Sequence, residues 1–385
     1  MAYTVLARRY RPEGFDDLVG QGNVAETLKN AIRMNRVGHA YLFTGPRGVG
    51  KTSAARIFAK ALNCEKGTSP TPCLVCETCQ AIARGVAADV LEIDGASNNG
   101  VDDIRDIREG SNYAPLSAPY KIYIIDEVHM VTRAAFNALL KTLEEPPPHI
   151  KFIFATTEAH KIPETILSRC QRFDFHMIKT EDISTRLKQI LEQEKINAAD
   201  EVLAALARFA DGGMRSAQSS LDQLITFAAG RDISAAHLAE LFRILTEDEQ
   251  LGIAEKAAAQ DVSGLLLASQ DLRTRSIQAG HVFDQMHQLY RNLLKLKHLG
   301  EKLAAVDISA AQLPRALQLA GRQSAQGLLA ALDILQQGRA NLSRGLDSAW
   351  ALEMTLVNLG HLGELPTLSD LLGLVVQGKK KTSAS

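Results

Sequence analysis

The sequence predicts an α/β domain built on a parallel β-sheet, followed by two helical domains. Through about residue 178, short apolar and β-branched runs alternate with helix-like segments, the pattern of a parallel sheet covered by helices on both faces. Beyond residue 178 the strand signals stop, and Leu- and Ala-rich segments with helical spacing follow. A chain of 385 residues is long enough for two or three domains of ordinary size.

The composition is that of a water-soluble globular protein. Hydrophobic residues make up 46% and charged residues 23% of the chain, and no apolar run is long enough to span a membrane. The first residues carry charge without the apolar core of a secretory signal, so we expect a reducing, cytoplasmic compartment. The net charge of -1 gives no global sign of nucleic-acid binding, so any such contact must come from a local patch.

The predicted elements divide the chain into four parts. Strands are expected at AYLFTG (40–45), DVLEID (89–94), KIYIIDE (121–127), KFIFATT (151–157) and FDFHMI (173–178). The apolar stripes of the later helices fit packing within the protein core. A helical bundle that assembles with other subunits is the more specific interpretation. We expect an α/β domain at 1–178, a small helical domain at 179–242, a further helical block at 243–365 and a flexible tail at 366–385.

A phosphate-binding loop follows the first predicted strand. The sequence GPRGVGKT at 45–52 fits the pattern G-x-x-x-x-G-K-S/T in its expected place between a strand and a helix. Backbone N–H groups can cradle phosphates only where side chains leave room, which explains the glycines. Lys51 is predicted to reach the outer phosphates and Thr52 to hold magnesium. The predicted nucleotide-binding set is Gly45, Pro46, Arg47, Gly48, Val49, Gly50, Lys51, Thr52 and Ser53.

Asp126 and Glu127 end the strand KIYIIDE at the carboxyl edge of the sheet, where open α/β sheets bind ligands. Asp126 is predicted to complete the magnesium site, and Glu127 to polarise an attacking water. Alone, such a pair is usually a solvated turn, but after a phosphate loop it indicates catalysis. The hydroxyl of Thr157, at the end of KFIFATT, could orient the water, and an ordinary strand end fits its position about as well. No N/T-K-x-D guanine-reading pattern occurs, which favours ATP over GTP.

Four of the five cysteines lie within the stretch CEKGTSPTPCLVCETC at 64–79. The spacing of Cys64, Cys73, Cys76 and Cys79 fits a tetrahedral thiolate site of the kind that zinc favours. Four thiolates leave no position open for water, so we predict a structural zinc site. A redox C-x-x-C is the first alternative, but it does not need the other two cysteines. A nucleic-acid knuckle is the second, but residues 64–84 contain no Phe, Tyr, Trp or His on which bases could stack.

Several motifs together resemble the AAA+ ATPases of the clamp-loader class: the phosphate loop, IIDEVH, ATT, SRC and GGMR, in this order. More narrowly, YTVLARRYRPEGFDDLVGQ, HAYLFTGPRGVGKTS, EIDGASNNGVDDIR and FNALLKTLEEPP resemble the tau/gamma subunits of bacterial DNA polymerase III. These motifs span residues 3 to about 223. The resemblance implies an AAA+ P-loop core with a zinc-module insertion at 64–79, a lid domain at 179–242 and an oligomerisation (collar) domain at 243–365.

The resemblance also implies an activity and its setting. It implies an ATPase, with ATP, Mg2+ and structural Zn2+, acting within the DNA polymerase III holoenzyme, a nucleotidyltransferase complex at bacterial replication forks in the nucleoid. ATP binding organises a multi-subunit spiral that opens the sliding clamp and admits primer-template DNA, and hydrolysis then releases the closed clamp. The implied partners are other clamp-loader subunits through the collar domain, the clamp and DNA, whereas polymerase and helicase bind only a longer C-terminal form.

The resemblance gives roles to residues that spacing alone leaves undecided. Arg169, in SRC, is implied to reach the ATP site of the neighbouring subunit, and Arg215, in GGMR, to sense the γ-phosphate in its own subunit. Thr157 is implied to be the strand-end sensor. The sequence after Arg215 departs from the usual R-D-A-L-S continuation of the family, which puts the packing of that helix in doubt. Arg105 and Arg133 are candidate DNA-phosphate contacts, although a solvated helix face fits them better.

Two other functions stay open at the level of the sequence. The first is an ATP-gated scaffold subunit of the same assembly without productive hydrolysis, and the presence of Lys51, Thr52, Asp126 and Glu127 disfavours it. The second is another AAA+ DNA-remodelling motor, for branch migration or replication initiation. The cysteine insertion and SRC argue against that motor.

Overall fold

The computed structural model describes residues 4–300, 306, 308–309 and 311–362. The chain forms two compact units that divide after Ile233. The domain limits expected at residues 178 and 242 stay predictions, and the tail expected at 366–385 lies outside the described residues. Within the described part of the chain, no helix has both the length and the apolar character needed to cross a membrane.

A parallel sheet organises the first unit, as the sequence predicts. Within the described residues it has five strands in the order β2-β3-β4-β1-β5. Strand β2 ends at its predicted end, and the other four strands end one to four residues before theirs. The strands are β1 (Ala40–Thr44), β2 (Val90–Asp94), β3 (Lys121–Asp126), β4 (Ile150–Thr156) and β5 (Gln171–Asp174).

The central and edge strands differ in burial. Strands β1 and β4 are buried at every position because helices cover both faces of the sheet there. The edge strands β2 and β5 are mostly exposed, so the pattern of continuous burial expected for all strands holds only for the centre of the sheet. The ladder pairs Thr44 with Thr156 and Asp94 with Asp126, which aligns the carboxyl ends of four strands at one edge.

Two hydrophobic layers enclose the sheet. Tyr41 and Phe43 of β1 pack with Phe58 on one face, whereas Leu42 packs with Phe136 on the other, because side chains alternate along a strand. Three short 3-10 helices lie at Phe15–Asp17, Val128–Met130 and Ala159–Lys161 of the described chain. The α-helices of this unit are α1 (Leu6–Arg9), α2 (Gly22–Arg33), α3 (Lys51–Asn63), α4 (Glu77–Arg84), α5 (Val101–Gly110), α6 (Arg133–Glu144), α7 (Glu164–Leu167), α8 (Thr180–Glu194), α9 (Asp200–Phe209) and α10 (Met214–Ala228).

The second unit is helical in its described residues. Its core is a single apolar cluster that includes Phe283, Met286 and Tyr290 on its longest helix, which ends before Gly300. The Leu- and Ala-rich segments with helical spacing therefore form helices here, as the sequence predicts. They are α11 (Ala235–Phe242), α12 (Glu247–Ala258), α13 (Val262–Thr274), α14 (Ala279–Leu299), α15 (Leu313–Arg322), α16 (Ala325–Ser343) and α17 (Ser348–Gly360).

Candidate nucleotide site and cysteine cluster

The phosphate loop connects β1 to α3 and depends on backbone conformations that favour glycine. Gly45, Gly48 and Gly50 have φ values of 142°, 80° and 105°. A Cβ atom on Gly45 would lie 2.3 Å from the carbonyl oxygen of Phe175, so a side chain there would collide with the segment after β5. The first turn of α3 starts at Lys51, and its unpaired N–H groups form an anion-binding end.

Lys51 lies inside this loop. Its residue exposure is 6%, and Nζ donates to the carbonyl oxygens of Gly45 and Pro46 at 2.8 and 2.7 Å. Burial lowers the pKa of Lys51, and the nearby carboxylates of Glu127 and Asp126 oppose that shift. A buried cation with few water neighbours attracts an anion strongly. The loop therefore presents a charged donor to a phosphate group.

Thr52 and Asp126 meet at the carboxyl edge of the sheet. The hydroxyl of Thr52 donates to Oδ2 of Asp126 at 2.6 Å, and Oδ1 accepts the N–H of Glu127 at 2.9 Å. Hydroxyl and carboxylate oxygens are the ligands that magnesium prefers in proteins. The two side chains predicted as magnesium ligands thus lie together and have suitable donor atoms.

Glu127 turns the chain sharply after β3. Its backbone has φ 46° and ψ 44°, a left-handed conformation that is uncommon for residues other than glycine. The hydroxyl of Thr157 donates to Oε2 of Glu127 at 3.2 Å. Thr157 follows the last residue of β4, so the strand predicted to include it ends one residue earlier. The turn brings the carboxylate of Glu127 beside the end of the neighbouring strand.

A cavity of about 600 Å³ opens above the phosphate loop. Arg11 is half-buried in its wall, and burial, followed by repulsion from Arg56, lowers the pKa of its guanidinium. The sequence assigned no role to the residues that the N-terminal segment, the segment between β5 and α8, and helices α8 and α10 add to the wall. These residues include Tyr10, Arg11, Pro12, Val19, Ile178, Arg186, Met214 and Gln218. For the residues of the N-terminal segment, the only sequence signal is that they lie in the motif YTVLARRYRPEGFDDLVGQ, which resembles the tau/gamma subunits.

The cavity also separates the predicted arginines into two groups. Arg215 lines the cavity, and its backbone N–H donates to the carbonyl oxygen of Gly48 at 3.3 Å, so α10 begins against the phosphate loop. Arg169 is not among the lining residues, and it forms an ion pair with Glu144 at 2.6 Å. The structure brings Arg215, but not Arg169, to the phosphate loop of the same chain.

The two candidate DNA contacts lie away from the cavity as well. Arg105 on α5 pairs with Asp102 at 2.8 Å, and both side chains are exposed. Arg133 is the exposed first residue of α6. Neither residue is among those that line the nucleotide cavity.

Four cysteines gather at the start of the segment that joins α3 to β2. The Sγ atoms of Cys64, Cys73, Cys76 and Cys79 all lie within 4.8 Å of one another. Tetrahedral zinc with Zn–S bonds of about 2.3 Å separates its sulfurs by about 3.8 Å. The four thiols therefore confirm the predicted cluster, and they fit zinc in number, chemistry and spacing.

Local backbone structure prepares these sulfurs as ligands. The N–H groups of Cys73, Cys76 and Cys79 donate to the sulfurs of Cys64, Cys73 and Cys76 at 3.4, 3.3 and 3.4 Å, respectively. The N–H group of Cys76 is the main cause that lowers the pKa of Cys73 to about 6, because it stabilises the thiolate. Burial, in contrast, raises the pKa of Cys79.

Three family models match successive parts of the chain. Residues 20–179 match "DNA polymerase III, delta subunit", and residues 182–230 match "DNA polymerase III clamp loader subunit, ATPase lid domain". Residues 233–375 match "DNA polymerase III subunits gamma and tau domain III". Among solved structures, the Thermotoga maritima RuvB Holliday junction branch migration motor aligns with 64% of this chain and 78% of its own, at 18% identity and a TM-score of 0.46.

Individual relatives are likewise named as tau or gamma subunits of DNA polymerase III. The tau subunit of Bacillus subtilis is 47% identical over 77% of this chain and 53% of its own length, and that of Escherichia coli is 39% identical over 93% and 55%. The chain thus spans about half the length of these tau subunits. The gamma subunit of Buchnera aphidicola subsp. Baizongia pistaciae is 34% identical over 95% of this chain and 99% of its own length. The chain therefore belongs to the family of the tau and gamma subunits of DNA polymerase III, as its motifs predicted.

Proposed function

We propose that the chain is an ATP-hydrolysing motor subunit of the DNA polymerase III clamp loader, which opens the sliding clamp and loads it on primer-template DNA. The proposal is supported above all by one arrangement: Lys51, Thr52, Asp126 and Glu127 line a single cavity at the carboxyl edge of the sheet. Family membership supports the same function. An ATP-gated scaffold would need Lys51, Thr52 and Asp126 to bind ATP and magnesium, but it would not need Glu127 as a base.

Each of these residues has a separate task in phosphoryl transfer. Lys51 and the N-terminal amides of α3 would bind the phosphate chain, and Thr52 and Asp126 would hold magnesium. When bound, magnesium neutralises charge on the phosphate oxygens. Glu127 accepts a proton from the water that attacks the γ-phosphate, while the bond from that phosphate to the β-phosphate oxygen breaks and ADP leaves. Thr157 fixes Oε2 of that carboxylate.

We also propose that the site is completed by a neighbouring subunit. Arg215 lies over the phosphate loop of its own chain, whereas Arg169 lies outside the cavity, on the surface after α7. The side chain of Arg169 is 32% exposed and is held by Glu144 and by the carbonyl oxygen of Thr165 at 2.7 Å. A guanidinium that is partly exposed and fixed by neighbouring groups can contact a γ-phosphate in the next subunit of an assembly.

The second unit offers a surface for that assembly. Large apolar side chains lie exposed on its helices: Leu266 at 44%, Leu267 at 68%, Leu329 at 51%, Trp350 at 54% and Met354 at 36%. Single exposed apolar side chains are common, but several on the helices of one unit are compatible with contacts to other proteins. We assign this unit to contacts with the other clamp-loader subunits, and we keep Arg105 and Arg133 as candidate contacts to DNA phosphates.

The test is ATP turnover of the reconstituted clamp loader, measured with and without the sliding clamp and primed DNA. We expect clamp and DNA together to stimulate turnover. Glu127→Gln should retain ATP binding and lose at least about 100-fold in turnover, as expected for loss of a general base. Lys51→Ala should lose binding itself, because it removes the buried cation. Turnover that does not respond to clamp and DNA would contradict the clamp-loading function, and normal turnover of Glu127→Gln would contradict the assigned chemistry.

A further inference from the structure

His129 lies beside the carboxylate of Glu127, which is assigned as the base. The left-handed turn at Glu127 sends the chain into the 3-10 helix Val128–Met130, which folds His129 back against the end of β4. The side chain of His129 is 7% exposed, and Nδ1 lies 3.0 Å from Oγ1 of Thr156 and 3.5 Å from Oε2 of Glu127. The imidazole is therefore buried between the base and the last residue of the neighbouring strand.

The opposite edge of the ring faces a second carboxylate. Nε2 of His129 lies 3.5 Å from Oε1 of Glu158, on the segment between β4 and α7. Glu158 is fixed in turn, because its N–H donates to Oγ1 of Thr156 at 3.0 Å and its carboxylate pairs with Lys161 at 2.7 Å. Both ring nitrogens of His129 thus face carboxylate oxygens, one of Glu127 and the other of Glu158.

The contacts to Glu127 are unevenly divided between its two oxygens. Thr157 and His129 both approach Oε2, at 3.2 and 3.5 Å. Glu127 also lines the nucleotide cavity. A glutamate side chain has several rotatable bonds, and a base is efficient only when its free oxygen is held toward the water that it activates. Two contacts on Oε2 leave Oε1 for that water.

We propose that His129 is a positioning residue for Glu127, which it connects through its two ring nitrogens to Glu158. The inference rests on the proposed ATP hydrolysis, because it gives Glu127 its role as base. His129 is not among the residues that line the cavity, so it acts through Glu127 and not on the nucleotide. A substitution should therefore change turnover and leave nucleotide affinity unchanged.

Three variants separate the two edges of the ring. His129→Leu removes both polar edges, His129→Asn keeps a polar nitrogen near the position of Nδ1, and His129→Gln keeps one near Nε2. His160→Gln is the matched control, since His160 is 76% exposed and lies 3.8 Å from Glu158 on its other side. Turnover and ATP affinity are measured for each variant in the reconstituted clamp loader.

We expect His129→Leu to lower turnover about 10- to 100-fold with ATP affinity unchanged, as for a misplaced base. His129→Asn should recover more turnover than His129→Gln, because the edge facing Glu127 matters most. The control should match the parent chain. Turnover of His129→Leu within twofold of the parent would overturn the proposal. Equal loss of turnover and of ATP affinity in all three variants would also overturn it, because it would indicate a purely structural role.

A second measurement distinguishes this inference from the proposed function. The chain has ten histidines, and 15N-labelled imidazoles can be followed by NMR, with His129 assigned from the His129→Asn variant. We expect Glu127→Gln and Glu158→Gln each to shift the ring signals of His129 and to leave most other histidines unchanged. If the parent chain does not hydrolyse ATP but these shifts occur, the contact stands and the proposed function fails. If the parent hydrolyses ATP and no shift occurs, the positioning role fails.

Discussion

Replacing Gly338 with alanine tests how tightly the helices of the second unit pack. A Cβ atom at Gly338, on α16, would lie 2.4 Å from Oγ1 of Thr355 on α17 and 3.2 Å from Cζ of Phe283 on α14. Thr355 and Phe283 are buried, and the hydroxyl of Thr355 donates to the carbonyl oxygen of Ala351 at 2.7 Å. The hydroxyl cannot rotate away without losing that bond. An ordinary contact of 3.4 Å therefore requires α16 to move by about 1 Å.

The expected energy follows from two opposing effects. Overpacking a buried contact costs about 1–3 kcal/mol, and the higher helix propensity of alanine returns about 1 kcal/mol. We therefore expect Gly338→Ala to lower the free energy of unfolding by up to about 2 kcal/mol. Gly321→Ala, on the exposed surface of α15, is the matched control, because a Cβ atom there meets no atom within 4 Å. It should raise the free energy of unfolding by up to about 1 kcal/mol.

The chain provides its own probe for this comparison. Its single tryptophan, Trp350, lies on α17, so fluorescence during urea unfolding reports on the second unit. With an m-value of about 2 kcal/mol per molar urea, the midpoint should fall by up to about 1 M in Gly338→Ala and rise in Gly321→Ala. Shifts of the same sign and size in the two variants would refute the steric argument.

Three further predictions concern the first unit. Purified under reducing conditions, the chain should contain one zinc ion per cysteine cluster by elemental analysis, and chelation should increase hydrogen exchange at residues 64–79. Arg169→Ala should leave ATP binding intact and abolish most turnover in the assembly, with less than about 1 kcal/mol lost in stability, because its pair with Glu144 is partly exposed. Asp89→Asn should increase hydrogen exchange at residues 116–118 by about 10- to 100-fold, since the Asp89 carboxylate accepts N–H bonds from Leu116, Ser117 and Ala118.

The Asp89 prediction has a defined pH dependence. Burial alone would raise the pKa of Asp89, but the hydrogen bonds from residues 116–118 outweigh it and lower that pKa. A carboxyl with a lowered folded pKa stabilises the fold above its unfolded pKa of about 3.9, and that stabilisation disappears as pH falls through the folded value. The difference in hydrogen-exchange protection of residues 116–118 between the parent chain and Asp89→Asn should therefore shrink below about pH 4. A difference independent of pH would refute the role of the carboxylate.

Each of the other two predictions has a clear contrary result. Protein that is free of metal after purification under reducing conditions would rule out the zinc site. Normal turnover of Arg169→Ala in the assembly would rule out its contact with the neighbouring nucleotide. Glu144→Gln is the control for that variant, because it removes the ion pair and retains the arginine.

The sequence by itself determined the sheet, the phosphate loop and the cysteine cluster. Buried parallel strands need continuous apolar runs, and a tight loop around phosphates needs glycine at fixed positions. Both features therefore depend on residues that are neighbours in the sequence. The cysteines are likewise close in sequence: Cys64 directly follows α3, Cys76 directly precedes α4 and Cys79 lies in the first turn of α4. Motif order then identified the family.

Only the tertiary structure decided which distant residues share the site. Thr157 and His129 approach Glu127 because β3 and β4 are neighbours in the sheet and Glu127 adopts a left-handed turn, which the local sequence does not require. Arg11 and Arg215 are about 200 residues apart in the sequence, and both line the cavity because α1 and α10 pack together. Local preferences act over a few residues, whereas these contacts depend on which strands pair and which helices cover them. The periodicity of the sequence therefore predicted the elements, and packing selected the side chains that meet at the site.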